Sequence, residues 1–149
     1  MLYLDASALI KQFLQEKGSH AVSKAFSSSA PLFSSALAFA EVHAVLARKV
    51  RVGDISSHAF PMFRHMFEAE WRTRIHVVEI HEGSMTFIPS LLEQHPLKAA
   101  DAIHLSAALW LWENARKAPT DLEFWTADKA LARIVGECGL CVFNPEEVT

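Results

Sequence analysis

Short apolar runs alternate with amphipathic stretches along almost the whole sequence, and this alternation restricts the fold more than any other feature. The apolar runs predict strands, which we place at residues 1–4, 31–34, 75–80, 121–125 and 140–143. Strands that alternate with helices form βαβ units with right-handed crossovers around a largely parallel sheet. We therefore predict an α/β fold, a three-layer sandwich with a mostly parallel central sheet.

Apolar residues recur with helical spacing in the stretches between these strands. The predicted helices cover residues 6–15, 22–26, 37–50, 54–74, 83–94, 97–111 and 129–137. Pro61 either interrupts the fourth helix or marks its true start, and Pro89 breaks the fifth, because proline lacks the N–H that a helix interior uses. Thr126 is predicted to be the N-cap of the last helix, with Asp128 in its first turn.

Length, charge and cysteine content restrict the class of protein. The 149 residues can bury a substantial core, and we expect one domain over residues 1–149. The net charge of −3 leaves no extended basic surface, so any contact with nucleic acid must be local. No signal peptide is visible and charged residues break the apolar runs, which indicates a soluble, cytoplasmic protein with no membrane partner. Cys138 and Cys141 match neither a redox dithiol nor a zinc ribbon, so we expect small buried residues.

The predicted helix over residues 97–111 carries an acid among apolar residues. At helical spacing Asp101 lies beside Ala102, Leu105 and Ala108. Aspartate is rarely buried without a partner, so this side chain needs a cation, a set of donors or a metal. A buried ion pair would satisfy it equally well, unless other acids converge on the same place.

Three more acids share this apolar context. Asp5 follows the first strand, Glu41 is flanked by the apolar positions of a helix, and Asp128 lies where the fourth strand turns into the last helix. Because ligands bind beyond the carboxyl ends of parallel strands, we expect Asp5 and Asp128 at one edge of the sheet. If these acids and Asp101 converge, mutual repulsion raises their pKa values unless a cation is present. Oxygen-rich sites of this kind suit Mg²⁺ or Mn²⁺.

Five segments, taken in order, resemble a known family: LYLDASALIK at the N-terminus, SSALAFAEVHAVLAR, LKAADAIHLSAAL, FWTADKALARIVGECGL and the closing VFNPEE. They resemble the PIN domain, and more closely the VapC-type toxins of bacterial and archaeal toxin–antitoxin pairs. The likeness covers nearly the whole chain apart from about residues 53–75. Ala6 departs from the family's pattern, in which a Ser or Thr is common.

The resemblance assigns roles to six residues. It places Asp5, Glu41, Asp101 and Asp128 on the family's acidic metal-site positions, and Ser7 and Thr126 on its hydroxyl positions beside the site. It implies a Mg²⁺- or Mn²⁺-dependent endoribonuclease in which a metal-activated water hydrolyses RNA phosphodiesters. It also implies a homodimer that a cognate antitoxin protein holds inactive by placing its tail in the acidic groove.

Two other functions stay open at the level of sequence. A metal-independent ribonuclease would use His and Lys and leave a 2′,3′-cyclic phosphate. A non-catalytic interaction module would use the acidic groove only to bind a basic partner peptide. His104 follows Asp101 by three residues, and we expect it to serve packing rather than to orient an acid. We expect the basic cluster Arg48, Lys49 and Arg51 to be a solvated helix C-terminus rather than a phosphate site.

Overall fold

In the computed structural model, which describes residues 1–115 and 122–147, five strands form one sheet and all of them are parallel. The strands are β1 (Leu2–Leu4), β2 (Leu32–Ser35), β3 (Ile75–Val78), β4 (Glu123–Trp125) and β5 (Cys141–Phe143). Their order across the sheet is β3-β2-β1-β4-β5, which puts β1 at the centre. The predicted α/β fold is confirmed. The fourth strand was predicted to begin at Asp121, which lies outside the described residues.

Helices connect the strands and flank the sheet. They are α1 (Ala6–Leu9), α2 (Ser19–Ser27), α3 (Leu37–Arg51), α4 (Phe60–Arg74), α5 (Ile88–Gln94), α6 (Ala99–Asn114) and α7 (Lys129–Glu137). Within the described ranges, none of them is long and apolar enough to cross a bilayer.

The sheet separates two buried apolar clusters, because successive residues of a strand point to opposite faces. Leu4 of β1 packs in one cluster with Leu9 of α1 and Leu46 of α3. Its neighbour Tyr3 packs in the other cluster with Leu105 of α6. The three layers therefore meet at β1. The residue that follows this central strand is Asp5, which lies where the polypeptide leaves the sheet.

Several predicted helix boundaries are wrong. The first helix does not reach residue 15, since α1 ends at Leu9 and a 3₁₀ turn covers Ile10–Gln12. Pro61 marks the start of α4, and Pro89 lies in the first turn of α5 instead of breaking a longer helix. A proline is tolerated there because first-turn amides have no acceptor within the helix.

The prediction that both cysteines are buried is also wrong. Cys141 is exposed, and Cys138 is half-buried; both are free thiols. Cys141 belongs to β5, which is an edge strand with no neighbour on its outer side among the described residues. An edge strand this short leaves part of its surface in solvent.

The packing of α4 gives a first testable prediction. Phe67 is fully buried, and its ring lies 5.4 Å from that of Phe13 and 5.6 Å from that of Phe39, measured between centroids. We expect Phe67→Ala to lower the free energy of unfolding by about 3–5 kcal/mol, because it leaves a cavity in the core. The neighbouring Met66 is 44% exposed, so Met66→Ala should change it by less than about 0.5 kcal/mol. Urea denaturation measures both, and equal effects would contradict the assigned packing.

Candidate active site

The centre of the site is Asp5, the residue that follows β1. It is the N-cap of α1, and its Oδ1 accepts hydrogen bonds from the backbone N–H of Ala8 at 2.8 Å and from the Ser7 hydroxyl at 2.7 Å. Its Oδ2 accepts a third from the Thr126 hydroxyl at 2.6 Å. The residue is only 5% exposed. Burial raises the pKa of Asp5, while the proximity of His104 and these hydrogen bonds act in the opposite direction.

Two hydroxyl groups tie Asp5 to the loop after β4. The Oγ1 of Thr126 donates to Asp5 and accepts from the backbone N–H of Asp128 at 3.0 Å. The Oγ of Ser7 accepts from the backbone N–H of Ala127 at 2.9 Å. Because β1 and β4 are parallel neighbours, their carboxyl ends lie side by side, and these bonds join the two loops that follow.

Asp128 begins the last helix. It is the N-cap of α7, and its Oδ1 accepts from the backbone N–H groups of Ala130 at 2.8 Å and Leu131 at 3.0 Å. The prediction that Thr126 is this N-cap is therefore wrong. The Thr126 hydroxyl is engaged with Asp5, so the capping role falls to the next side chain with a suitable oxygen.

Asp101 lies in the first turn of α6, three residues after the N-cap residue Lys98. Partial burial raises the pKa of Asp101, and the Asp128 carboxylate raises it further. Helix α6 thus carries an acid whose ionisation is opposed by the carboxylate that begins α7.

Glu41 reaches the site from α3 through a histidine. Its Oε2 lies 2.7 Å from the Nε2 of His104, which is on α6 and 2% exposed. The Nδ1 of the same ring lies 3.1 Å from the hydroxyl oxygen of Tyr3 on β1. The expectation that His104 serves packing alone is therefore wrong. Its position three residues after Asp101, one helical turn along the same surface, was the sequence signal for a contact with the acids.

The four acids are thus linked in pairs rather than gathered in one cluster. Thr126 forms hydrogen bonds with both the Asp5 carboxylate and the backbone N–H of Asp128. The Asp128 carboxylate raises the pKa of Asp101. His104 is hydrogen-bonded to Glu41, and it lowers the pKa values of Asp5 and Asp101. Among the described residues, no three acid, His or Cys side chains lie close enough together to hold a metal ion as they stand.

Comparison with known proteins identifies the family. The family model described as PIN domain matches residues 2–137 of the chain. This chain belongs to the PIN domain family. Its VapC-type character is confirmed by a curated relative, Ribonuclease VapC45 of Mycobacterium tuberculosis, which is 33% identical over 114 residues, 73% of this chain and 75% of the relative. Ribonuclease VapC49 of the same species matches to the same extent.

Solved structures show the same fold at lower sequence identity. The PIN domain described here superposes on a chain of FitAB bound to an IR36 DNA fragment with a TM-score of 0.67 and 17% identity, covering 100% of this chain and 98% of that one. It matches a chain of a toxin–antitoxin complex from Klebsiella pneumoniae with a TM-score of 0.63 and 20% identity, covering 99% and 100% respectively. At these identities the likeness shows the fold alone.

The hydrogen bonds of Thr126 give a second prediction. Thr126→Val keeps the shape of the side chain but leaves the buried Oδ2 of Asp5 without its donor, which should cost about 1–3 kcal/mol of folding free energy. Thr126→Ser retains the hydroxyl and should lose less than about 1 kcal/mol. Thermal or urea unfolding of the metal-free protein measures both. A Thr126→Val variant as stable as the unaltered protein would contradict the assigned contribution of this hydroxyl.

The raised pKa of Asp101 gives a prediction about pH. The unfolded chain releases the Asp101 proton at lower pH than the folded chain does, so the folded state loses stability as pH rises between the two pKa values. This loss persists at neutral pH. We therefore expect Asp101→Asn, measured in chelator, to be at least as stable as the unaltered protein at pH 7 and to show a flatter pH profile above pH ~4. Lower stability of the variant at pH 7 would contradict this assignment.

Proposed function

We propose that this PIN domain is a Mg²⁺- or Mn²⁺-dependent endoribonuclease and the toxin component of a toxin–antitoxin pair. The observation that carries the proposal is the buried Asp5 carboxylate, which two hydroxyl groups hold and which Thr126 links to the backbone N–H of a second acid, Asp128. Curated relatives that match most of the chain are named ribonucleases, which supports nuclease activity. We propose that residues 1–149 act as one domain, and that it works in the cytoplasm, where its substrate is found.

The chemistry of the donor set fits a divalent cation. Asp5, Glu41, Asp101 and Asp128 offer only carboxylate oxygens, the ligands that Mg²⁺ and Mn²⁺ prefer. Burial raises the pKa values of Asp5 and Asp101, the Asp128 carboxylate raises that of Asp101 further, and a bound cation would lower both. We therefore propose these four side chains as the metal ligands and catalytic residues. When bound, the ion would lower the pKa of a water molecule and stabilise the oxygen that leaves from phosphorus.

The protein's own groups fix the acids before substrate arrives. Ser7 and Thr126 hold both oxygens of Asp5, and the first amides of α7 hold one oxygen of Asp128. We propose that this support lets Asp5 and Asp128 keep their positions while an RNA phosphodiester is placed against the ion. Preorganised charges of this kind contribute because they do not have to reorient during the reaction.

We also propose two protein partners. Solved structures that share this fold include toxin–antitoxin complexes, which supports a cognate antitoxin for this chain as well. Its tail would occupy the acidic groove and compete with RNA there. A homodimer is proposed on the resemblance to VapC-type toxins.

Cleavage of RNA tests this function. Antitoxin-free protein is incubated with total bacterial RNA and Mn²⁺ or Mg²⁺, and the new 5′ ends are mapped. We expect discrete cuts with 5′-phosphate ends that disappear in chelator. Asp101→Asn should lower the rate of RNA cleavage by roughly 100-fold or more, because the loss of one group that stabilises developing charge has an effect of this size. Glu113→Gln, on the exposed far end of the same helix, is the matched control and should cleave normally.

Each of the other possible results of the cleavage experiment would support a different function. Cuts that persist in chelator and end in a 2′,3′-cyclic phosphate would establish a metal-independent ribonuclease based on His and Lys. Folded protein that binds Mn²⁺ but cuts no RNA would favour a module whose acidic groove binds a basic partner peptide. Cuts that persist in Asp101→Asn would show that the acidic site is not the catalyst.

A further inference from the structure

A buried chain of hydrogen-bonding groups runs from the centre of the sheet to the fourth acid. It consists of Tyr3 on β1, His104 on α6 and Glu41 on α3, with distances of 3.1 Å from the Tyr3 hydroxyl to Nδ1 and 2.7 Å from Nε2 to the Glu41 carboxylate. Tyr3 is fully buried and His104 is 2% exposed, so the contact between these two side chains is shielded from water. These three hydrogen-bonded side chains connect the three layers of the fold, and the last of them is a proposed metal ligand.

The bond between His104 and an ionised Glu41 has one possible direction: the ring Nε2–H donates to Oε2 of the carboxylate. The Nδ1 on the other side of the ring contacts the Tyr3 hydroxyl. The imidazole is therefore held at both of its nitrogens, with Nε2 facing Glu41.

Tyr3, the first of these three side chains, is fixed by packing against the neighbouring strand. Tyr3 is paired with Phe124 of β4 in the sheet register, and the two rings stack with their centroids 5.0 Å apart. The Tyr3 ring also meets the His104 ring edge to face at 6.0 Å. The imidazole is thus held in orientation by a side chain that belongs to the central strand.

Glu41 needs such a donor because of its place in the fold. Two of the other acids accept backbone N–H groups at helix starts: Asp5 from Ala8, and Asp128 from Ala130 and Leu131. Asp101 lies in the first turn of α6, where backbone N–H groups also have no carbonyl partner within the helix. Glu41 is in the interior of α3, where backbone N–H groups already bond to carbonyls one turn earlier. Of the four acids, it alone takes its described donor from a side chain on another helix.

We propose that His104 is a positioning residue that fixes the Glu41 carboxylate for the divalent ion. By taking Oε2 it selects one rotamer of a long, half-exposed side chain and leaves Oε1 for the metal. This inference rests on the proposed metal-dependent function and adds to it the device that prepares the fourth ligand. Groups that hold a metal ligand from behind raise metal affinity without touching the ion.

Mn²⁺ binding by the metal-free protein tests the proposal, with two matched variants. In His104→Gln the amide nitrogen reaches the position of Nε2 and can still donate to Glu41. In His104→Asn the amide reaches only the position of Nδ1, so the contact with Tyr3 can persist while that with Glu41 is lost. Electron paramagnetic resonance of free Mn²⁺ should show about 10- to 100-fold weaker binding for His104→Asn, and recovery of most of this loss in His104→Gln.

A double-mutant cycle separates positioning from general packing. With Glu41→Gln already present, His104→Asn should cause no further loss of Mn²⁺ affinity, because it acts through the carboxylate that has been removed. Tyr3→Phe keeps the ring but removes the hydroxyl, and should weaken Mn²⁺ binding in the same direction by a smaller factor. This variant decides the matter even if a substitution at His104 does not fold.

The outcomes that overturn the proposal are distinct. Unchanged Mn²⁺ affinity in a folded His104→Asn protein would overturn the positioning role and leave the metal site intact. The same conclusion would follow if the losses of Mn²⁺ affinity in His104→Asn and Glu41→Gln add in the double variant. If His104→Asn does not fold, unchanged affinity in Tyr3→Phe has the same meaning. Failure of the unaltered protein to bind Mn²⁺ would overturn the metal-dependent function itself and the positioning role with it.

Discussion

The burial of carboxylates is the constraint on which the rest of this site depends. Burial opposes the ionisation of Asp5 and Asp101, and the Asp128 carboxylate opposes that of Asp101 further. Hydrogen-bond donors lie behind three of the four acids: the Ser7 and Thr126 hydroxyls behind Asp5, the first amides of α7 behind Asp128, and His104 behind Glu41. A divalent ion would neutralise the charges that the donors only hold in place, which is why the arrangement suits a metal-dependent nuclease.

The order of the strands makes this arrangement possible. With β1 at the centre and β4 beside it, the two strands end at the same edge, and the chain turns there into the loops that carry Asp5 and Asp128. Thr126 joins these loops in a single pair of hydrogen bonds. The same central strand supports the other side of the site through Tyr3, so the core of the sheet and the chemistry at its edge share residues.

Much of this could be predicted from the sequence because periodicity reports burial, and burial decides which elements form. The alternation of strands and helices predicted the parallel sheet, and acids in apolar surroundings pointed to Asp5, Glu41 and Asp101. The sequence could not show that Thr126 bonds to Asp5 and leaves the cap to Asp128, since that contact joins residues 121 positions apart. The role of His104 depends on Tyr3 and Glu41, which only the folded chain brings together.

The most direct measurement is a crystal structure of the protein grown with Mn²⁺, with data collected at the manganese absorption edge. We expect an anomalous peak bounded by the carboxylates of Asp5, Asp101 and Asp128, with Oε1 of Glu41 facing it and Oε2 still bonded to His104. Manganese–oxygen distances of about 2.0–2.3 Å would identify the ligands. A peak at another place, or none in crystals soaked at millimolar Mn²⁺, would contradict the claim that these acids form a metal centre.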